Sequence, residues 1–151
     1  IVENDATPIP DSCVGDGVDA GTAIGPRSGS FFAQGNDCGA ATNYMGFDTV
    51  SCNAAEGTAD TTLTLDSDIT VVFMSCVDFN EPSCTWRATL RKNLASPGAP
   101  DFQCTGTNVQ VCGDTGSTTY ATGDEIAILI EDTAANCLAT ASFQCTVYFT
   151  W

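Results

Sequence analysis

The sequence predicts an all-β fold, an antiparallel β-sandwich of jelly-roll type, disulfide-rich and preceded by an extended N-terminal arm. Three observations predict it. Apolar residues recur with period two in several short runs separated by turn residues, the pattern of half-buried strands. Threonine, aromatic and β-branched residues are abundant, and no segment carries a capped helical stripe. Nine cysteines in 151 residues are far more than an ordinary domain uses.

The first thirty residues lack periodicity and are rich in Gly, Pro, Asp and Thr, as in "DGVDAGTAIGPRSGS". They read as an arm or loop, which divides the chain into residues 1–29 as an irregular segment and 30–151 as one sandwich domain. Strand-like runs follow at Ser30–Gln34, weakly at Phe47–Cys52, then Thr61–Asp66, Ile69–Val77, Cys84–Lys92, Asn108–Cys112, Thr118–Ala121, Glu125–Asp132 and Thr140–Trp151. In "SFQCTVYFTW", Phe143, Cys145, Val147, Phe149 and Trp151 share one face, with Tyr148 on the other. In "EIAILIED", Ile126, Ile128 and Ile130 align, and in "CTWRATLRK", Trp86, Ala88 and Leu90 do. Many short strands with frequent turns favour a sandwich over a parallel sheet. The predicted core is Leu63, Leu65, Val71, Phe73, Trp86, Leu90, Ile126, Ile128, Ile130, Phe143, Val147 and Phe149.

Cysteine usage places the protein outside the cell. There is no histidine and no C-x-x-C pair, so zinc has no ligand spacing to rest on, and disulfides in an oxidising compartment are the better reading. Cys76 and Cys84, Cys104 and Cys112, and Cys137 and Cys145 are each eight positions apart. Hairpin closure would bring such residues within bonding distance. Cys38 and Cys52 form a fourth, longer link, and Cys13 on the arm is left over. Two alternatives stay open: Cys13 pairs inside the domain while another cysteine is free, or the free thiol is capped. The sharper reading gives Cys13 a contact with a neighbouring subunit, together with Ile1, Val2 and Ile9 of the arm. The chain begins on Ile1 without a charged-then-apolar leader, as a processed mature chain would.

Charge excludes further classes. Nineteen carboxylates against four cations give a net charge of −15. A field of that sign repels nucleic acid and anionic lipid, and no apolar run is long enough to enter a membrane. Without histidine there is no Ser-His-Asp or Cys-His arrangement, and no phosphate-binding loop or nucleophile elbow occurs. Five glutamates (Glu3, Glu56, Glu81, Glu125 and Glu131) sit in no catalytic motif, and no catalytic residue is assigned. Calcium is the one ion worth weighing. Asp11, Asp16, Asp19, Asp37 and Asp48 lie in glycine-rich loops, but the EF-hand register fails, and solvated turns are the simpler account. A sugar-stacking face could draw on Trp86, Trp151, Tyr44, Tyr120 and Tyr148. Trp86 and Trp151 fall on apolar strand faces and read as core, leaving Tyr148 as the better exposed aromatic.

The stretches "TTLTLDSDITVVF", "WRATLRK" and "ATGDEIAILIEDTAANCLATASFQCTVYF" resemble the prepeptidase C-terminal type of β-sandwich over about 90 residues, Thr61 to Trp151. The resemblance implies a module of secreted bacterial proteins with an accessory, adhesive or processing role and no catalytic residues. Dense cysteines and the arm depart from that family. The reading that emerges is a secreted, cell-surface structural protein, a self-assembling subunit of a fibre or layer in which the arm makes subunit contacts. The other reading is a glycan- or calcium-binding adhesive module.

Overall fold

A computed structural model describes residues 27–36, 38, 42–47, 52–53, 61–79, 84–94, 102–133 and 142–151. The strands are β1 (Ser28–Gly35), β2 (Thr42–Met45), β3 (Cys52–Asn53), β4 (Leu63–Thr64), β5 (Ile69–Asp78), β6 (Thr85–Lys92), β7 (Gln103–Thr107), β8 (Val111–Tyr120), β9 (Glu125–Asp132) and β10 (Phe143–Thr150). No helix occurs among the described residues. The strands form two antiparallel sheets. One has the order β1-β10-β5-β8. The other has the order β3-β2-β9-β6-β7, with β4 also paired to β9. First and last strands lie side by side, and most successive strands change sheet, which is the connectivity of a jelly roll. The expected all-β sandwich is therefore present. The arm, residues 1–26, lies outside the described residues, and β1 already begins at Ser28.

The core follows from the alternation. Trp86, Ala88 and Leu90 of β6, Ile126, Ile128 and Ile130 of β9, and Phe143, Cys145 and Val147 of β10 are buried between the sheets. Each large apolar side chain so buried stabilises the fold by about 1.5–3 kcal/mol. Met45, Phe102 and Tyr120, absent from the predicted core, are fully buried as well. Phe102 precedes β7, and Tyr120 ends the threonine-rich β8, so neither stands in an apolar run.

Phe73 is a correction. Strict alternation from Val71 would point it inward, yet Val71 and Met74 are both buried and Phe73 is only half-buried. The ladder explains this. Tyr148 pairs with Phe73 while Phe149 pairs with Val71, so Val72 is an extra residue in β5 opposite β10. Such a bulge shifts parity by one and sends the following side chain to the other face. Two expected strand positions also move. Asn108–Gln110 lies between β7 and β8, with Asn108 at a φ of 53°, and β8 runs unbroken from Val111 to Tyr120. Strands β2 and β7, polar in sequence, were not expected.

The cysteine links need a second correction. Cys104 is bonded to Cys112 and Cys38 to Cys52. Cys76, however, is bonded to Cys145, not to Cys84, so neither the Cys76–Cys84 nor the Cys137–Cys145 link exists. The reason is topological. β5 and β6 belong to different sheets and form no hairpin, whereas Cys76 and Cys145 are direct partners in the β5–β10 ladder, with Cα atoms 4.1 Å apart. Cys104 and Cys112 succeed at eight residues because β7 and β8 are the adjacent edges of opposite sheets, and their bond fastens the two sheets together. Cys84 is also in a disulfide, and no other described cysteine remains to be its partner. Cys13 and Cys137 are the cysteines outside the described residues.

Candidate interaction surface

The outward face of the four-stranded sheet can be read row by row from the ladders. Ser28, Thr150, Thr70 and Thr119 form one row, and Ser30, Tyr148, Phe73 and Thr115 the next. Phe32, Thr146, Ser75 and Gly113 follow, and then Gln34, Gln144, Val77 and Val111. None of these residues is charged, in a chain of net charge −15. The face spans four strands about 4.8 Å apart and some eight residues of about 3.4 Å each, roughly 500 Å² in plan. Most of the face is hydroxyl and amide, and its exposed apolar groups fall within the few hundred Å² that the largest apolar patch of a monomer covers, often at a functional site.

Aromatic and aliphatic groups stand on this face in contact with solvent. Phe32 is 53% exposed, Tyr148 43% and Val111 55%. Tyr148 and Phe73 lie ring to ring across the β10–β5 pair, with centroids 5.6 Å apart. The polar groups between them hydrogen-bond to one another across the strands, Gln34 to Gln144 and Thr70 to Thr119, each at 3.4 Å. Beside the bulge at Val72 lies a shallow depression of about 460 Å³, walled by Ser28, Ser30, Tyr148 and Thr150.

Charge is collected elsewhere. Arg87, Arg91 and Lys92 all lie on β6 in the other sheet. Arg87 donates from Nε and Nη2 to Glu131 Oε2 at 2.9 and 2.7 Å, and the Arg91 guanidinium sits 5.6 Å from the Tyr44 ring centre. The loops at one end of the sandwich hold Asp68 and Asp124. Lys92 Nζ lies 2.6 Å from Asp124 Oδ2, and Asn93 Nδ2 donates to Oδ1 at 2.8 Å. These contacts, the Lys92 ammonium foremost, hold the Asp124 carboxyl below its usual range. The backbone N–H and hydroxyl of Thr122 do the same for Asp68, at 2.7 and 2.9 Å.

Of the aromatic residues considered for sugar stacking, Trp86 and Tyr120 are core and Tyr44 is half-buried under Arg91. Tyr148 is on the neutral face as expected. Trp151 is a correction. Its parity is inward, but it follows the last residue of β10, where the sandwich ends, and it is 51% exposed. The loop carboxylates weighed for calcium, Asp11, Asp16, Asp19, Asp37 and Asp48, lie outside the described residues, as do Ile1, Val2, Ile9 and Cys13. Among the described residues no three His, Cys, Asp or Glu side chains are grouped for a metal. The neutral face itself was missed in the sequence, although its signal was there: the outward positions of β1, β5, β8 and β10 carry no charge.

No protein-family model and no curated protein matches the chain. Solved structures that match include two crystal structures of murine APRIL. One, at pH 8.5, is 16% identical, with a TM-score of 0.47 over 80% of this chain and 98% of that one. The other, at pH 8.0, is 14% identical, with a TM-score of 0.49 over the same shares. The resemblance to prepeptidase C-terminal modules is thereby overturned: it rested on strand patterning, which unrelated sandwiches share, and no family match supports it.

Proposed function

We propose that this protein is an extracellular, non-enzymatic β-sandwich subunit that associates with copies of itself through the outer face of its four-stranded sheet. One observation carries the reading. A molecule of net charge −15 keeps a broad face free of carboxylates and places exposed Phe32, Tyr148 and Val111 on it. Two such molecules repel each other through most orientations. The neutral face lets them meet with apolar surface in contact and no carboxylate desolvated. The disulfides support a life in an oxidising, extracellular setting. The larger assembly is a fibre or surface layer. A face that meets its own kind closes into a dimer, so a polymer requires a second contact of different type.

The test is sedimentation velocity of the wild-type chain and of a Phe32→Lys/Tyr148→Lys variant, both at about 50 μM. Both side chains are exposed, so the variant should keep its fold and circular dichroism spectrum. The expected result is an associated wild type and a variant reduced to smaller species. A monomeric wild type at that concentration overturns the proposal.

A further inference from the structure

At the end of the β1–β10 pair the sandwich stays open. Phe31 of β1 stacks on Phe149 of β10 with ring centres 4.9 Å apart, and Trp151 lies 5.3 Å from Phe149. Gly29 makes this possible, because a Cβ there would fall 2.8 Å from both Phe149 Cζ and Trp151 Cζ3. All three rings point to the core side of their strands, yet Phe31 and Phe149 are half-buried and Trp151 is half-exposed. Opposite Phe31 and Phe149 stand Leu63 and Leu65, and these four side chains bound a cleft of about 220 Å³ with Asp66 at its rim. A cleft of this size admits one or two apolar side chains. Among the described residues, most other core-side side chains between the sheets are fully covered.

The same corner is where the undescribed N-terminal stretch joins the domain. Arg27 and Trp151 exchange both backbone hydrogen bonds, at 3.1 and 3.0 Å, so Arg27, to which residues 1–26 connect, sits beside the exposed indole. Ile9 is eighteen positions before Arg27. At about 3.4 Å per residue it reaches up to roughly 60 Å, far enough to arrive at a neighbouring molecule. β1 is moreover the border of the neutral face, so a molecule docked on that face lies next to this corner.

We infer that the cleft at Phe31, Leu63, Leu65 and Phe149, beside Trp151, receives Ile9 from the N-terminal segment of a second copy. The inference rests on the self-association proposed above and supplies its second contact. The neutral face joins like to like, whereas arm into cleft joins unlike surfaces and propagates. Extended segments with apolar side chains bind open sandwich edges in this way. The prolines at positions 8 and 10 suit such an extended link.

The experiment uses the full chain with the photoreactive residue p-benzoylphenylalanine at position 64, an exposed site on the cleft wall. This unlabelled protein is refolded with a ¹⁵N-labelled wild-type chain, irradiated and mapped by mass spectrometry. The expected result is mixed-isotope crosslinks to residues 1–13, reduced at least fivefold when the labelled chain carries Ile9→Asp. Crosslinks confined to one copy, or none to residues 1–13, overturn the inference. The Phe32→Lys/Tyr148→Lys background separates the two proposals. If the face proposal alone is wrong, the mixed crosslinks persist there and the variant sediments as the wild type does, whereas if both hold the crosslinks persist in smaller species. If the arm alone is wrong, the wild type sediments as an assembly without those crosslinks.

Discussion

Gly106 stands directly opposite Trp86 in the β6–β7 ladder, and a Cβ at Gly106 would fall 2.5 Å from Trp86 Cε2. The indole fills the space a side chain would need, and its Nε1 donates to the Val109 carbonyl at 3.2 Å, which fixes the ring. Gly106→Ala should therefore destabilise the protein by about 1–3 kcal/mol, the cost of overpacking a core. Gly113→Ala provides the contrast. There the nearest atoms are Phe73 Cε2 at 3.1 Å, on a half-buried ring, and the Met74 carbonyl oxygen at 3.2 Å, a much looser fit than at Gly106. Urea unfolding of both variants should show the larger loss at Gly106.

The longest and the shortest of the three described disulfide loops should differ in worth. Cys76–Cys145 closes a separation of 69 residues and Cys104–Cys112 one of 8. Chain-entropy arguments give about 4.4 kcal/mol for the first and about 2.6 for the second. Cys76→Ser/Cys145→Ser should accordingly lower the denaturation midpoint further than Cys104→Ser/Cys112→Ser. Equal losses would mean that the unfolded chain is not what these links restrain.

Acid should weaken one end of the sandwich first. Asp124 and Asp68 have carboxyl groups held below their ordinary values, Asp124 by Lys92 and Asn93 and Asp68 by Thr122. A depressed carboxyl stabilises the fold fully above the unfolded value of about 3.9, and that contribution disappears as pH falls through the lower folded value. Asp124→Asn should remove part of this dependence below about pH 4 and leave the melting temperature near pH 7 within a few degrees, since exposed pairs contribute under about 1 kcal/mol. Thermal melts between pH 2 and pH 7 measure both.

Salt should promote association. The neutral face supplies the attraction, and the net charge of −15 opposes it. Raising ionic strength from about 0.01 M to about 1 M shortens the screening length from roughly 30 Å to 3 Å. The wild type should shift to larger species across that range, and Phe32→Lys/Tyr148→Lys should shift less. Dissociation by salt would show instead that ion pairs hold the copies together.

Much of the fold is visible in the strands with strong alternation. β6, β9 and β10 announce their buried faces through Trp86, Ile128 and Val147. β2 and β7 do not, because Asn43, Cys104 and Gly106 take the inward positions that apolar residues hold elsewhere. Such positions are legible once a neighbouring strand is known: Gly106 is small because Trp86 lies across from it. The interaction surface was hidden for a related reason. Its residues come from four strands far apart in sequence, and the absence of charge becomes a property of one face when β1, β10, β5 and β8 lie side by side.

What the sequence by itself determined are the properties that depend on near neighbours. Period-two patterning made the strands, the cysteine count made an oxidised protein, and the carboxylate excess made a repelling surface. The tertiary structure decided everything that depends on which strand lies beside which. Cys76 bonds to Cys145 and not to Cys84 because crossing between sheets separates residues that are close in sequence and brings distant ones into register. A single extra residue, Val72, turned Phe73 from core to surface beside Tyr148, because pairing partners, not alternation alone, set the face of every residue that follows.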